Sequence, residues 1–156
     1  MVVGTGQKYS AYFDVDEKYF PCFDDSAINA GAPWDDTYPH DAFIKLLESA
    51  ERMLSGSTKR SIWIHGAYGT GKSKCAYALR KILEVPEEEL KQYWSRFDNL
   101  SDKQDLLSKI IGHKRRGIVT AFRYASGGIT TPANLFFAIQ ESVDEALRAT
   151  TMETTL

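Results

Sequence analysis

The chain has 156 residues, 43% of them hydrophobic and 26% charged, with a formal net charge of −2. That length allows one domain with a real core, and the balance is that of an ordinary globular protein. The near-neutral charge gives no global electrostatic case for nucleic acid or an anionic membrane, although it leaves room for a local basic patch.

Cys22 and Cys75 are the two cysteines. Two are too few to staple a domain of this size and form no close metal pair, so reduced thiols and a cytoplasmic location are expected. The opening MVVGTGQKYS has no charged segment followed by an apolar one, as a signal peptide would. No apolar run approaches the ~18 residues of a membrane span.

Residues 1–38 read as an irregular segment in which aromatics alternate with aspartates, interrupted by Pro21, Gly31 and Pro33. So many aromatics suggest a segment lying on a core, with a short strand near Tyr12–Val15. Residues 39–150 carry the domain proper. In TYPHDAFIKLLESAERMLSG, Phe43, Leu46, Leu47, Ala50 and Leu54 form one apolar stripe at helical spacing. Thr37 or Asp36 is the expected cap, Pro39 the first-turn residue and Gly56 the stop. SIWIH at 61–65 predicts a strand buried on both faces of a parallel sheet. KSKCAYALRKIL predicts a helix with Cys75, Ala78, Leu79 and Ile82 inward. VPEEELKQYWSRF predicts another, its glutamates at the positive end of the helix dipole and Leu90, Tyr93, Trp94 and Phe97 on its stripe. SDKQDLLSKIIG predicts a helix between Ser101 and Gly112, and GIVTAFRY at 117–124 a second strand. The last helix, capped by Thr131 with Pro132 at its first position, is expected to turn Leu135, Ile139, Val143 and Ala146 to the core. Residues 151–156 read as a weakly structured tail. Strands alternating with helices predict an α/β fold with a parallel sheet.

Between the first strand and its helix lies HGAYGTGKSK, residues 65–74. Gly66, Gly71, Lys72 and Ser73 satisfy G-x-x-x-x-G-K-[ST], the Walker A pattern of phosphate-binding loops. The chemistry explains each residue type. Polyphosphate needs many donors at short range, and backbone N–H groups supply them only where the chain wraps closely, which Gly66, Gly69 and Gly71 permit. The following helix points its positive end at the ligand. Lys72 brings a mobile charge to the β- and γ-oxygens, and the Ser73 hydroxyl is placed to coordinate Mg²⁺. Ala67, Tyr68, Thr70 and Lys74 complete the cofactor-binding stretch. The alternative is a glycine turn with a solvated lysine.

IWIHGAYGTGKS, preceded by an amphipathic helix, resembles the Walker A region of AAA+ and STAND-type P-loop ATPases. A closer likeness, weaker in its motifs, is to the N-terminal ATPase region of very large bacterial phage-defence ATPases such as those of bacteriophage-exclusion systems. There an aromatic follows the first residue of the loop, as Tyr68 does here, and a helical insertion precedes a second strand. The likeness spans residues 40–148, and the loop is its specific part. It implies ATP and Mg²⁺ as cofactors and hydrolysis that drives remodelling or switching on nucleic acid or a partner protein.

Hydrolysis also needs an acid at a strand end to hold Mg²⁺ and a group to orient water. No apolar run ending in an acid follows Ser73: GIVTAFRY ends in Arg123 and Tyr124, and Glu141 in LFFAIQE falls in a helical pattern. The expectation is therefore the N-terminal part of a longer ATPase, completed by the remainder of the polypeptide or a partner subunit. Asp14 and Asp16 in YFDVD are candidate acids elsewhere in the order, with surface acids the alternative. A nucleotide-binding switch that needs a partner for turnover is the second reading. A small-molecule kinase is the third, disfavoured because residues 84–116 read as packed helices rather than an arginine-rich lid. The guanine-reading Asn-Lys-x-Asp does not occur, which favours ATP over GTP.

Among the remaining residues, His65 and Cys75 read as structural. Arg123, Tyr124 and Ser126 read as a strand-to-helix turn beside the sheet edge. Trp34 is weighed between packing and stacking on a base. HKRR at 113–116 reads as a solvated loop, with nucleic-acid phosphates as the alternative partner.

Overall fold

The computed structural model describes residues 31–58, 61–123 and 129–153. The expected strand at 12–15, Asp14, Asp16, Cys22, Tyr124 and Ser126 lie outside them. The chain divides into two compact units, and the second, which carries every helix described below, begins at Pro33. It contains α1 (Asp41–Leu54), α2 (Lys72–Glu84), α3 (Glu87–Ser95), α4 (Asp98–Ser101), α5 (Gln104–Lys114) and α6 (Pro132–Glu153).

The expected α/β parallel sheet is not found: among the described residues there is no strand. Residues 61–67 and 117–123 run as irregular chain. Trp63, expected inside a sheet, is 91% exposed, and Ile64 and Val119 are exposed with it. Apolar β-branched residues fit a half-buried pleated surface, but a strand exists only where a neighbour accepts and donates its backbone hydrogen bonds. Here neither segment enters a ladder.

The helices follow their stripes more closely. On α1, Phe43, Ile44, Leu46, Leu47 and Ala50 are buried. Its cap is neither Thr37 nor Asp36 but His40, whose Nδ1 accepts the Phe43 N–H at 3.2 Å. Pro39 is buried just outside the helix. At the far end the Gly56 N–H, at φ +87°, donates to Met53 O, and the Ser57 N–H reaches Arg52 O at 3.1 Å. That pair of bonds is a Schellman closure, so Gly56 ends the helix as expected. On α2, Cys75, Tyr77, Ala78 and Ile82 are buried.

The segment 33–40 is fastened to α3 and α4. The Tyr93 hydroxyl donates to Thr37 O at 2.6 Å, and Asn99 Nδ2 donates to Pro39 O at 2.5 Å. Trp34 Nε1 donates to Glu89 at 3.0 Å, and its ring lies 4.9 Å from that of Tyr93. Trp34 therefore packs on the core. Burial pushes the Tyr93 phenol far above its ordinary value, so it stays a donor.

Helix α5 begins at Gln104, not at Ser101, and runs through Gly112. It buries Leu106, Leu107, Ile110 and Ile111 against α1, α2 and α3. Its end corrects the reading of HKRR as a solvated loop. His113 is buried, Lys114 Nζ donates to Ile82 O and Leu83 O at 2.9 and 2.8 Å, and Arg115 grips Glu87 with two bonds.

Thr131 caps α6 as expected, its Oγ1 accepting the Asn134 N–H at 3.2 Å. The expected inward face is not inward. Leu135, Ile139 and Val143 are exposed, Phe136 and Phe137 are 66% and 67% exposed, and the buried positions are Ala138 and Ser142. The face was matched to a sheet that the described residues do not form. The helix continues through Thr151–Glu153, where a tail was expected.

The helix ends generate two stability measurements. His40→Ala should cost about 1 kcal/mol in urea unfolding by removing the α1 cap, while His40→Asn should restore most of it. At the end of α2, burial pushes Glu84 up, but hydrogen bonds from Arg80 and Thr120 and the charges of Arg80 and Lys81 outweigh it and hold the carboxyl below its ordinary value. Glu84 then adds stability that is complete above the unfolded carboxyl's value and is lost as pH falls through the lower folded one. Glu84→Gln should lower stability at neutral pH and flatten its decline on the acid side.

Candidate phosphate-binding loop

The loop from Gly66 to Gly71 leads directly into α2, which starts at Lys72. Gly69 and Gly71 have φ of +79° and +77°, the left-handed region where a side chain is strained. Gly66 suits its place for a different reason: a Cβ there would stand 3.1 Å from Thr70 Oγ1, a tight approach that Thr70 would have to yield to. The loop thus curls back on itself, and Thr70 Oγ1 holds the curl by donating to Ala67 O at 2.9 Å. Every residue from 65 to 71 is exposed, and the Tyr68 ring is 97% so. His65, expected to close a strand, is part of this exposed stretch.

Lys72 Nζ donates to the same Ala67 carbonyl at 2.6 Å and approaches Thr70 Oγ1 at 3.5 Å. The ammonium is therefore held across the loop. An ammonium has three N–H donors, and Ala67 takes one. The N-terminus of α2 has no side-chain cap and no acidic residue in its first turn. Its positive dipole end thus has no capping side chain and no first-turn acid to offset it.

Ser73 lies in the first turn of α2 and is exposed. Among the described residues no group of three or more His, Cys, Asp or Glu side chains is placed to hold a metal. A magnesium ion at Ser73 would take its other ligands from phosphate oxygens and water, a usual arrangement for this cation. Lys74 is drawn off the loop into an ion pair with Asp36 at 2.9 Å. Of the predicted loop residues, 66–73 stay together at one turn, and Lys74 serves instead to tie α2 to the segment 33–40.

Sequence reasoning missed what lies under the loop. His40 Nδ1 accepts a hydrogen bond, so the neutral ring carries its proton on Nε2, 3.8 Å from Cys75 Sγ. The α1 cap and the first buried residue of α2 are thus adjacent. A histidine just before a run headed by Asp41 was the available signal. Burial raises the Cys75 thiol above its ordinary value, and the nearby Lys74 charge only partly offsets this. Native protein treated with iodoacetamide at pH 8 should leave Cys75 unmodified in peptide mapping and label it once urea is added.

Comparison with known proteins adds no relative to this geometry: the chain matches no family model, no curated protein and no solved structure.

Proposed function

We propose that residues 66–73 bind the polyphosphate of Mg·ATP. One observation carries this reading. A glycine loop with two left-handed glycines runs straight into an uncapped helix N-terminus, with the Lys72 ammonium already stationed across it. A glycine loop of this kind can offer backbone N–H groups, and beside it stand a helix dipole and a flexible cation, the set of donors a polyphosphate requires. On binding, Lys72 exchanges or shares the Ala67 carbonyl for a phosphate oxygen, and Ser73 meets the metal. Turnover would further need a carboxylate to hold Mg²⁺ and orient water. In this reading that group comes from elsewhere in the polypeptide or from a partner subunit, and binding alone can act as a switch.

Fluorescence anisotropy of a labelled ATP analogue tests this. Wild type should bind with Mg²⁺ present, and Lys72→Ala should weaken binding by roughly tenfold or more through loss of a charged hydrogen bond. Ser73→Ala should keep residual affinity but lose the gain from Mg²⁺. Equal affinity of wild type and Lys72→Ala would refute the assignment.

A further inference from the structure

A cavity of about 670 Å³ opens between the C-terminal turn of α1 and the outer face of α5. Three cationic side chains line it: Arg52 from α1, Lys109 from within α5, and Arg116 just past the end of α5. Arg52 is held by Glu48 O and Ser49 Oγ, both at 3.3 Å. The Lys109 and Arg116 side chains make no ion pair or hydrogen bond with the described residues, so two positive charges face the cavity unspent.

Polar groups complete the lining. Ser108 and Ser55 contribute hydroxyls. Glu51 is the one acid among the described lining residues, and it is buried and engaged. The Ser55 hydroxyl donates to its Oε1 at 2.6 Å, and His113 Nε2 lies 3.7 Å from the same oxygen. Ser55 has one proton and gives it to Glu51, so at 3.1 Å it accepts from His113 Nε2–H. The acid is thereby turned inward, and the exposed lining is cationic.

Gly112 also lines the cavity. Glycine inside a helix is costly, and a Cβ at this position would meet nothing within 4 Å. No neighbour requires the missing side chain. Its absence keeps the space between Ser108, Lys109 and Arg116 open.

We propose that this cleft binds a phosphoryl oxyanion, at a site separate from the glycine loop. Lys109 and Arg116 supply the charge, and Ser108 adds a hydroxyl donor. The shared ligand chemistry is a phosphate group, carried either by a free phosphate compound or by a nucleic-acid backbone.

The test is amide chemical-shift titration of the ¹⁵N-labelled full chain with two probes, inorganic phosphate and a single-stranded oligothymidylate. The expected result is movement of Ser55, Ser108, Lys109 and Arg116 with at least one probe. The tighter probe names the source. Lys109→Gln combined with Arg116→Gln should weaken binding read at the cleft amides by roughly tenfold or more and leave the amides of the glycine loop titrating as before. Gly112→Leu improves helix propensity and adds a side chain to the lining without changing charge, so it should fold and fail to bind. The proposal is overturned if neither probe moves the cleft amides or if only loop amides move. It is equally overturned if the double variant binds normally, or if Gly112→Leu binds as wild type does, since diffuse surface charge would then explain the attraction.

Discussion

The last turn of α5 holds the unit together at two other helix ends. Lys114 gives its ammonium protons to the Ile82 and Leu83 carbonyls, near the C-terminus of α2. One residue earlier, His113 meets Ser55 and Glu51 at the C-terminus of α1. The last carbonyls of a helix have no partner of their own and carry its negative dipole end. Adjacent residues of one helix therefore reach the ends of two others, Lys114 through the last carbonyls of α2 and His113 through side chains at the end of α1. Burial disfavours the Lys114 charge, and the neighbouring Glu84, Glu87 and Glu89 work against that loss without reversing it.

Fixing the far end of α2 matters because its near end carries the glycine loop. The helix is a rigid rod with its C-terminus clamped by α5. Its first turn is moored by Lys74 to Asp36, and the segment containing Asp36 is itself pinned to α3 through Tyr93 and Trp34. The loop thus extends from a helix restrained at both ends. A helix held at both ends keeps the direction of the dipole it presents to the loop.

The sequence was legible where the signal is local. The stripes of α1, α2 and α3, the Gly56 stop and the Thr131 cap depend on residues within one or two turns of each other, and they lie where periodicity and end chemistry place them, except that Leu54 and Leu79 are half-buried and Phe97 falls past the end of α3. The strands were not legible, because SIWIH and GIVTAFRY carry a propensity but a strand needs partners that a local pattern does not name. The same gap explains α6, whose amphipathic face was matched to a sheet. The role of His113, and the His40–Cys75 contact, were hidden because each depends on a meeting of separate elements. Of the loop, its residue types and its turn into a helix could be read in advance, but not the Lys72–Ala67 bond nor the diversion of Lys74.

The exposed apolar side chains of α6 bear on the thermodynamics of unfolding. Heat capacity and denaturant sensitivity report the apolar surface that becomes wet when the chain opens. Phe136, Phe137, Ile139 and Leu135 are already largely wet in the folded state. Among the described residues, melting α6 therefore adds less to either quantity than melting α1 to α5. The loss of α6 helicity would then precede the cooperative transition, as a separate, shallow change in the ultraviolet circular dichroism.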